Sequence, residues 1–565
     1  MAEYKNKYND WLENDFFDES TKKELEALAG NEDEIKDRFY TELEFGTAGL
    51  RGKIGAGTNR MNRYIIMRAT QGLAEVIKAH GNEAMERGVA IAYDCRHFSD
   101  VFAKTAALVL AQNGIKAYLF ESLRTTPELS FTVRHLKTIS GIVVTASHNP
   151  QAYNGYKVYW EEGAQILDNI ALPIQDEIRK IKQFSDVKCM DEEEALAKGL
   201  LTYIGKDIDT IYLEKVKGLA LRDDGIDKAI RIVYTPLNGT GNMPVRRVLR
   251  ERGFTNVTVV PEQENPDPDF TTVGYPNPED TKAFKYSIEL GKKIDADVLI
   301  ATDPDCDRLA VMVKDGEEYW AFNGNQTGAV LIKYILEALD EQKKIPSNGV
   351  IIKSIVTGDL GKHVAEKYGV TTVESLTGFK NICGKENKFE QTGEYQFLFG
   401  YEESIGYVYG TFVRDKDAVI SSMLLAEAAA YYKTRGKSLK DVLYEVFEEV
   451  GYTTEDPFSI VLEGIEGKER INRMMVAIRE NSPDEVAGKG VKEKIDFLDQ
   501  DQIDVGKTNG LKFILEDDSW FAVRPSGTEP KIKVYVYTNG KDKEESDRKA
   551  VDIQNSIREI LDQVE

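Results

Sequence analysis

The sequence predicts an α/β protein: three similar α/β domains with mixed sheets, then a smaller C-terminal α+β domain. Three observations predict it. Up to residue 450, short apolar runs bounded by turn residues alternate with segments of helical period, the pattern of strand–helix–strand units. In three places a buried run ends in a loop rich in reactive side chains, "TASHNP", "DPDCDR" and "GYEES". Beyond residue 450 strands neighbour strands. At 565 residues the chain is also too long for one hydrophobic core. The divisions expected are 1–205, 206–322, 323–450 and 451–565.

The first forty residues or so read as acidic helices with an apolar face of Trp11, Leu12, Phe16 and Phe17. A glycine-rich basic stretch follows, "FGTAGLRGKIGAGTNRMN". The helix "MRATQGLAEVIKAHG" ends at Gly81, a plausible C-cap. Then come a buried strand "GVAIAYD", a helix "FAKTAALVLAQNG", a strand "IKAYLFE", and the strand and loop "SGIVVTASHNP". Such alternation implies a largely parallel sheet covered on both faces. The pattern restarts after Tyr203, reaching a strand, loop and strand in "ADVLIATDPDCDRLAVMV". A third round begins near Asn323 and ends in "EYQFLFGYEESIGYV" and the helix "AVISSMLLAEAAAYYKTRG". The last domain holds the strands "LKFILEDDSWFAVRP" and "PKIKVYVYTN" and a final helix.

Composition limits the functions available. Hydrophobic residues make up 41% and charged residues 30%, as in ordinary globular proteins. No apolar run approaches the roughly 20 residues of a membrane helix, and the N-terminus lacks the layout of a signal peptide. Cys95, Cys189, Cys306 and Cys383 are far apart without metal-type spacing. A reduced, cytoplasmic enzyme is expected. The net charge of −23 disfavours nucleic acid and anionic membranes as partners. An anionic substrate then needs locally basic loops.

The loops carry the chemistry. Asp303, Asp305 and Asp307 follow the buried strand "DVLIA", and a turn at Pro304 lets them converge. Three carboxylates together repel unless a cation neutralises them, and an all-oxygen site with few protein ligands suits Mg²⁺. A solvated acidic turn is the alternative, but the loop lies between two apolar strands. Arg308 adjoins it, suited to phosphate oxygens. In "TASHNP", Ser147 and His148 stand at a strand end, a rigid mount for reactive groups; the alternative is a polar turn that stops the strand. "NGYKVY" supplies Lys157 nearby. In "RPSGTEP", Arg524 can fork onto a phosphate, Ser526 and Thr528 offer hydroxyls, and Gly527 lets backbone amides turn toward an anion; an ordinary turn with a stray arginine is the other reading. Glu402, Glu403 and Ser404 of "GYEES" suit sugar hydroxyls, or a simple turn. Arg51 of "FGTAGLRG" faces an anion or solvent. That loop has neither P-loop nor dinucleotide-binding spacing.

These loops in this order closely resemble the α-D-phosphohexomutase superfamily, and most of all its phosphoglucomutase/phosphomannomutase branch that includes phosphopentomutase-like members. The resemblance covers nearly the whole chain. It implies four domains around one central cleft and an isomerase of carbohydrate metabolism. Ser147 would be the phosphoserine that gives and takes a phosphoryl group. With it, Asp303, Asp305 and Asp307 would hold Mg²⁺. Arg51, His148, Lys157 and Arg308 would line the transfer site. Glu402 and Ser404 would read sugar hydroxyls; Thr377, Gly378 and Lys380 of "LTGFKN" resemble a further substrate loop. Arg524, Ser526, Gly527 and Thr528 would hold the phosphate that is not transferred. The expected reaction interconverts glucose 1-phosphate and glucose 6-phosphate through glucose 1,6-bisphosphate, with mannose or pentose phosphates as alternative substrates. A Mg²⁺-dependent sugar phosphatase and a non-catalytic phosphosugar-binding protein are the rivals. The expected partner is a small phosphosugar, with the chain a monomer or homodimer. No motif assigns the general acid and base; His148 and Lys157 are the candidates.

Overall fold

A computed structural model describes residues 3–46, 49–462, 464–499, 505–526 and 531–564. The chain divides into two compact units, Met1–Ala321 with Gly406–Thr434, and Phe322–Ile405 with Arg435–Glu565. Residues 406–434 group with the first unit.

The first unit opens with helices Glu3–Glu13, Glu19–Glu26 and Glu32–Phe39. Asp18 and Asn31 start the second and third by accepting hydrogen bonds from the Thr21 and Glu34 amides. Trp11 and Phe17 are buried as expected and stack at 4.2 Å between ring centroids. Leu12 and Phe16 lie at the rim of that cluster, partly buried.

Two sheets follow. The first runs in the order Leu50–Lys53, Tyr153–Trp160, Ser140–Val144, Val89–Tyr93, Ala117–Phe120, Leu201–Ile204. Its last four strands are parallel, and the first two pair antiparallel. Ser140–Val144 is buried at every position, which needs cover on both faces; helices Ser99–Gln112 and Thr126–Leu136 both pack on it. The second sheet repeats the plan in the order Glu318–Ala321, Leu309–Asp315, Val298–Thr302, Ile232–Thr235, Val257–Val259. In both, a buried parallel strand runs into the functional loop and an antiparallel strand returns from it. That return makes the sheets mixed. Helix Ala418–Lys433 closes the unit against helix Asn242–Glu251 and strands Val298–Thr302 and Leu309–Asp315. It is apolar on most of its surface, with Glu427 paired to Arg252 at 2.7 Å, because it is buried almost throughout.

In the second unit, strands Thr371–Ser375, Gly349–Ser354 and Gln396–Glu402 lie side by side and parallel. Beyond residue 450 lies a seven-stranded sheet, antiparallel in its pairings. One of its faces buries Phe513, Phe521 and Val534 with helices Gly464–Glu480 and Lys543–Asp562. The other packs Trp520 and Tyr537 against Ile355 and Val356. All four cysteines are free thiols. Among the described residues no helix is long and apolar enough to cross a membrane.

Candidate functional site

Strand Ser140–Val144 delivers Ser147 into a tight turn. Ser147 has φ of 51°, in the left-handed region that costs a residue with a side chain. Its amide donates to Thr145 Oγ1 at 2.8 Å, which fixes the turn. The hydroxyl, buried with its residue, donates to Asp303 Oδ2 at 2.7 Å and lies 3.2 Å from His148 Nδ1. The returning strand sets Lys157 opposite Val143. Its ammonium donates to Asp305 Oδ2 at 2.9 Å and stands 3.8 Å from Asp307 Oδ2. Arg51 is exposed on the neighbouring edge strand and donates to Asn149 Oδ1 at 3.2 Å.

Strand Val298–Thr302 delivers the aspartates. The chain reverses at Cys306, whose φ is 56°. The amides of Asp307 and Arg308 donate to Asp303 Oδ1 at 3.1 and 3.0 Å. The loop Leu237–Gly241 backs this turn: the Thr240 amide and hydroxyl both donate to the Pro304 carbonyl, at 2.8 and 2.9 Å. Gly239 is required there, because a Cβ would stand 2.4 Å from the Pro304 Cα and 2.6 Å from its oxygen.

As expected, the three carboxylates converge: one oxygen of each lies within 4.8 Å of the others, and all three residues are buried. Burial and the neighbouring Asp305 and Asp307 carboxylates push the Asp303 carboxyl well above its ordinary range. Asp307 is raised by burial and by Asp305, against the pull of Lys416 and Lys157. Burial also acts on Asp305, but the Lys157 ammonium and the hydrogen bonds from Asp303, Lys157 and Thr126 outweigh it and hold that carboxyl low. Asp305 Oδ1 and Asp307 Oδ1 are buried with no hydrogen-bond partner. Two orphaned carboxyl oxygens in an all-oxygen cluster fit a hard cation such as Mg²⁺. His148 is held well below its ordinary pKa by burial and then by Arg308 and Arg51, so its imidazole is neutral.

In the second unit, three of the predicted loops meet. Glu402 Oε1 accepts the Gly378 amide at 2.7 Å. Arg524 Nη1 donates to Thr377 Oγ1. Glu403 Oε2 accepts from the hydroxyls of Thr357 at 3.0 Å and Ser354 at 3.2 Å, so the second glutamate of the pair braces its loop. Lys380 and Ser404 are partly buried beside these groups in sequence. The Ser526 amide donates to the Lys531 carbonyl at 2.8 Å. Gly527 and Thr528 lie outside the described residues.

Several contributors escaped the sequence reading. Thr126, at the start of its helix, donates both its hydroxyl and its amide to Asp305, each at 2.9 Å. Lys416 reaches Asp307 Oδ2 at 3.0 Å and Asp415 Oδ1 at 3.1 Å. Asp415 in turn accepts the Tyr159 hydroxyl at 2.6 Å. Arg96 grips the backbone of the serine loop. The alternating charges of "RDKD", before a largely apolar helix, were the available signal for Lys416. For Arg96 it was "DCR" at the end of a buried strand.

Comparison with known proteins agrees with this geometry. Models of phosphoglucomutase/phosphomannomutase match in order: alpha/beta/alpha domain I at 42–185, domain II at 211–316, domain III at 323–450 and the C-terminal domain at 475–556. A phosphoglucomutase of Staphylococcus haemolyticus is 39% identical over 513 residues, 89% of this chain and 91% of that protein. One of Staphylococcus epidermidis is 38% identical over 94% of this chain and 96% of its own length. The fold matches a phosphoglucomutase called pp63/parafusin from Paramecium, in its open form, with a TM-score of 0.72 at 18% identity over 93% of this chain and 95% of that one. It also matches a putative phosphomannomutase from Thermus thermophilus, with a TM-score of 0.69 at 24% identity over 92% and 99%. With four domain models in sequence and relatives of nearly equal length, the chain belongs to the phosphoglucomutase/phosphomannomutase family.

Proposed function

We propose that the protein interconverts glucose 1-phosphate and glucose 6-phosphate, with Ser147 passing the phosphoryl group between enzyme and sugar. The observation that carries the reading is the Ser147 hydroxyl, hydrogen-bonded at 2.7 Å to a buried three-carboxylate cluster that has two unpartnered oxygens. The names of the full-length relatives support glucose as the sugar. Mannose and pentose phosphates are the alternatives for the same chemistry.

Phosphoryl transfer depends on alignment and charge neutralisation more than on covalent help. Asp303, Asp305, Asp307 and the Ser147 oxygen are the assigned ligands of Mg²⁺, which when bound would neutralise phosphate oxygens. Phospho-Ser147 transfers its phosphoryl group to the free 6-hydroxyl of glucose 1-phosphate. The hydroxyl proton leaves to a base, and the Ser147 oxygen takes up a proton as it departs. The product, glucose 1,6-bisphosphate, reorients, and its 1-phosphoryl group returns to the Ser147 oxygen as its bond to the C1 oxygen breaks and that oxygen takes up a proton, giving glucose 6-phosphate. His148, neutral and 3.2 Å from that oxygen, is placed to accept the hydroxyl proton in this return step. Lys157 holds Asp305 ionised, and Arg51 and Arg308 supply positive charge for the incoming phosphate. Glu402, Ser404, Thr377, Gly378 and Lys380 are assigned to the sugar, and Arg524, Ser526, Gly527 and Thr528 to the phosphate that stays. These roles correspond to domains at 1–205, 206–322, 323–450 and 451–565. The protein is taken as cytoplasmic, a monomer or homodimer without nucleic-acid or membrane partners.

A ³¹P NMR time course with glucose 1-phosphate, Mg²⁺ and a trace of glucose 1,6-bisphosphate tests this. Glucose 6-phosphate is expected to grow with the wild type and to be absent with Ser147→Ala. Growth of free phosphate at the turnover rate would replace the mutase by a phosphatase. Binding without conversion of glucose, mannose or ribose phosphates would leave a phosphosugar-binding protein.

A further inference from the structure

Ser147 occupies a costly backbone conformation at the end of a strand, and something must hold it there. Four carbonyl oxygens of its loop face one side chain. Arg96 Nη2 donates to the carbonyls of Ser147 at 2.6 Å and Asn149 at 2.5 Å. Its Nη1 donates to those of Pro150 at 3.0 Å and Tyr153 at 3.1 Å. The remaining nitrogen, Nε, faces Asp94 Oδ2 at 3.2 Å. Asp94 is itself fixed, since its Oδ1 accepts the Arg96 amide at 2.9 Å and the Ser99 hydroxyl at 2.7 Å. The guanidinium carbon lies 5.0 Å from the ring centroid of Phe270, a buried residue between helix Pro261–Glu264 and helix Lys285–Ile294, in the stretch of chain that leads to the aspartate-bearing strand.

We infer that Arg96 is a positioning residue for phosphoryl transfer: its planar fork, wedged between Asp94 and Phe270, holds the Ser147 loop so that the hydroxyl meets Asp303. The inference rests on the reading of Ser147 as the phosphoryl carrier. Arginine is the residue for this task. The two terminal nitrogens of its rigid plane serve four carbonyls at once while its charge stands 3.2 Å from a carboxylate, whereas an ammonium has three donors and no plane. Binding the Ser147 carbonyl fixes the backbone beside the nucleophile without contact to any reacting atom. Through Phe270 the same side chain ties the serine loop to the part of the unit that carries the aspartates. Misplacement of a reacting oxygen by about 1 Å can cost about 100-fold in rate.

Replacing Arg96 alone would also leave the Asp94 carboxylate buried and unpaired, which can unfold the site for a trivial reason. The test therefore pairs Arg96→Met with the double variant Asp94→Asn/Arg96→Met, beside Arg96→Lys and the wild type. Three quantities are read: kcat and KM for glucose 1-phosphate, thermal midpoint, and hydrogen exchange of the amides of residues 147–154. Expected is a thermal midpoint largely restored in the double variant, while kcat stays about 100-fold down and KM changes less than about threefold. Faster exchange confined to 147–154 should accompany it, and Arg96→Lys should recover only a small part of kcat. Recovery of kcat together with stability in the double variant would overturn the inference, as would unchanged exchange in the serine loop. If the wild type itself converts no sugar phosphate, the mutase reading fails, and the exchange data alone then decide whether Arg96 holds the loop.

Discussion

Within the carboxylate cluster, one side chain is tuned against its neighbours. Asp305 alone of the three is held low, by Lys157 and the Thr126 hydroxyl, while Asp303 and Asp307 are pushed up by burial and mutual repulsion. Asp305 therefore carries a charge, and an unpartnered oxygen, before any cation arrives. Asp305→Asn is expected to raise the Mg²⁺ concentration for half-maximal activity by more than about tenfold. A metal titration of the mutase rate measures it, and an unchanged midpoint would remove Asp305 from the ligand set. This aspartate could be read from sequence because three acids at alternate positions after a buried strand are unusual. Lys416 and Thr126 were not read with it. The charges of "RDKD" mark a place where acids and bases pair but not which distant acid Lys416 serves, nothing local marks Thr126, and only the fold brings them to 3.0 and 2.9 Å from the aspartates.

At the level of elements, helix Ala418–Lys433 begins inside the protein. Its cap, Asp417, is wholly buried; it accepts the Val419 and Ile420 amides at 2.8 Å and the Tyr212 hydroxyl at 2.7 Å. Burial outweighs these bonds and lifts its pKa to about 6 from 3.8. The folded state thus holds this proton more tightly than the unfolded chain. The resulting stability is complete below about pH 4 and is lost as the pH rises through about 6. Asparagine keeps the cap without the charge. Asp417→Asn should therefore gain on the wild type by about 3 kcal/mol between pH 4 and 7. Denaturant unfolding across that range reads the difference, and parallel curves would show that Asp417 titrates normally. The helix "AVISSMLLAEAAAYYKTRG" was legible, but its buried cap was not, because a cap looks the same in sequence whether solvent or a tyrosine faces it.

For the molecule as a whole, the helices of residues 3–39 precede the first family-domain match at residue 42, yet they share a core with it. Trp11 packs on Phe17, Phe39, Tyr64 and Phe184. Trp11→Ala should cost about 3–5 kcal/mol, seen as a lower thermal midpoint with KM for the sugar phosphate unchanged; an unaltered midpoint would make the N-terminal helices an ornament. The α/β class and the order of the loops were legible because strand ends and turn residues are written locally. The return of residues 406–434 to the first unit was not, since a buried helix carries no mark of which core it joins. That return has a consequence for biosynthesis. On the ribosome the three aspartates emerge well before Lys416, and the first unit lacks its last helix until residue 434 has been translated. A nascent chain halted at Ala321 holds three clustered acids with one of their cations still unmade, so this half of the protein matures only after part of the other half has been synthesised.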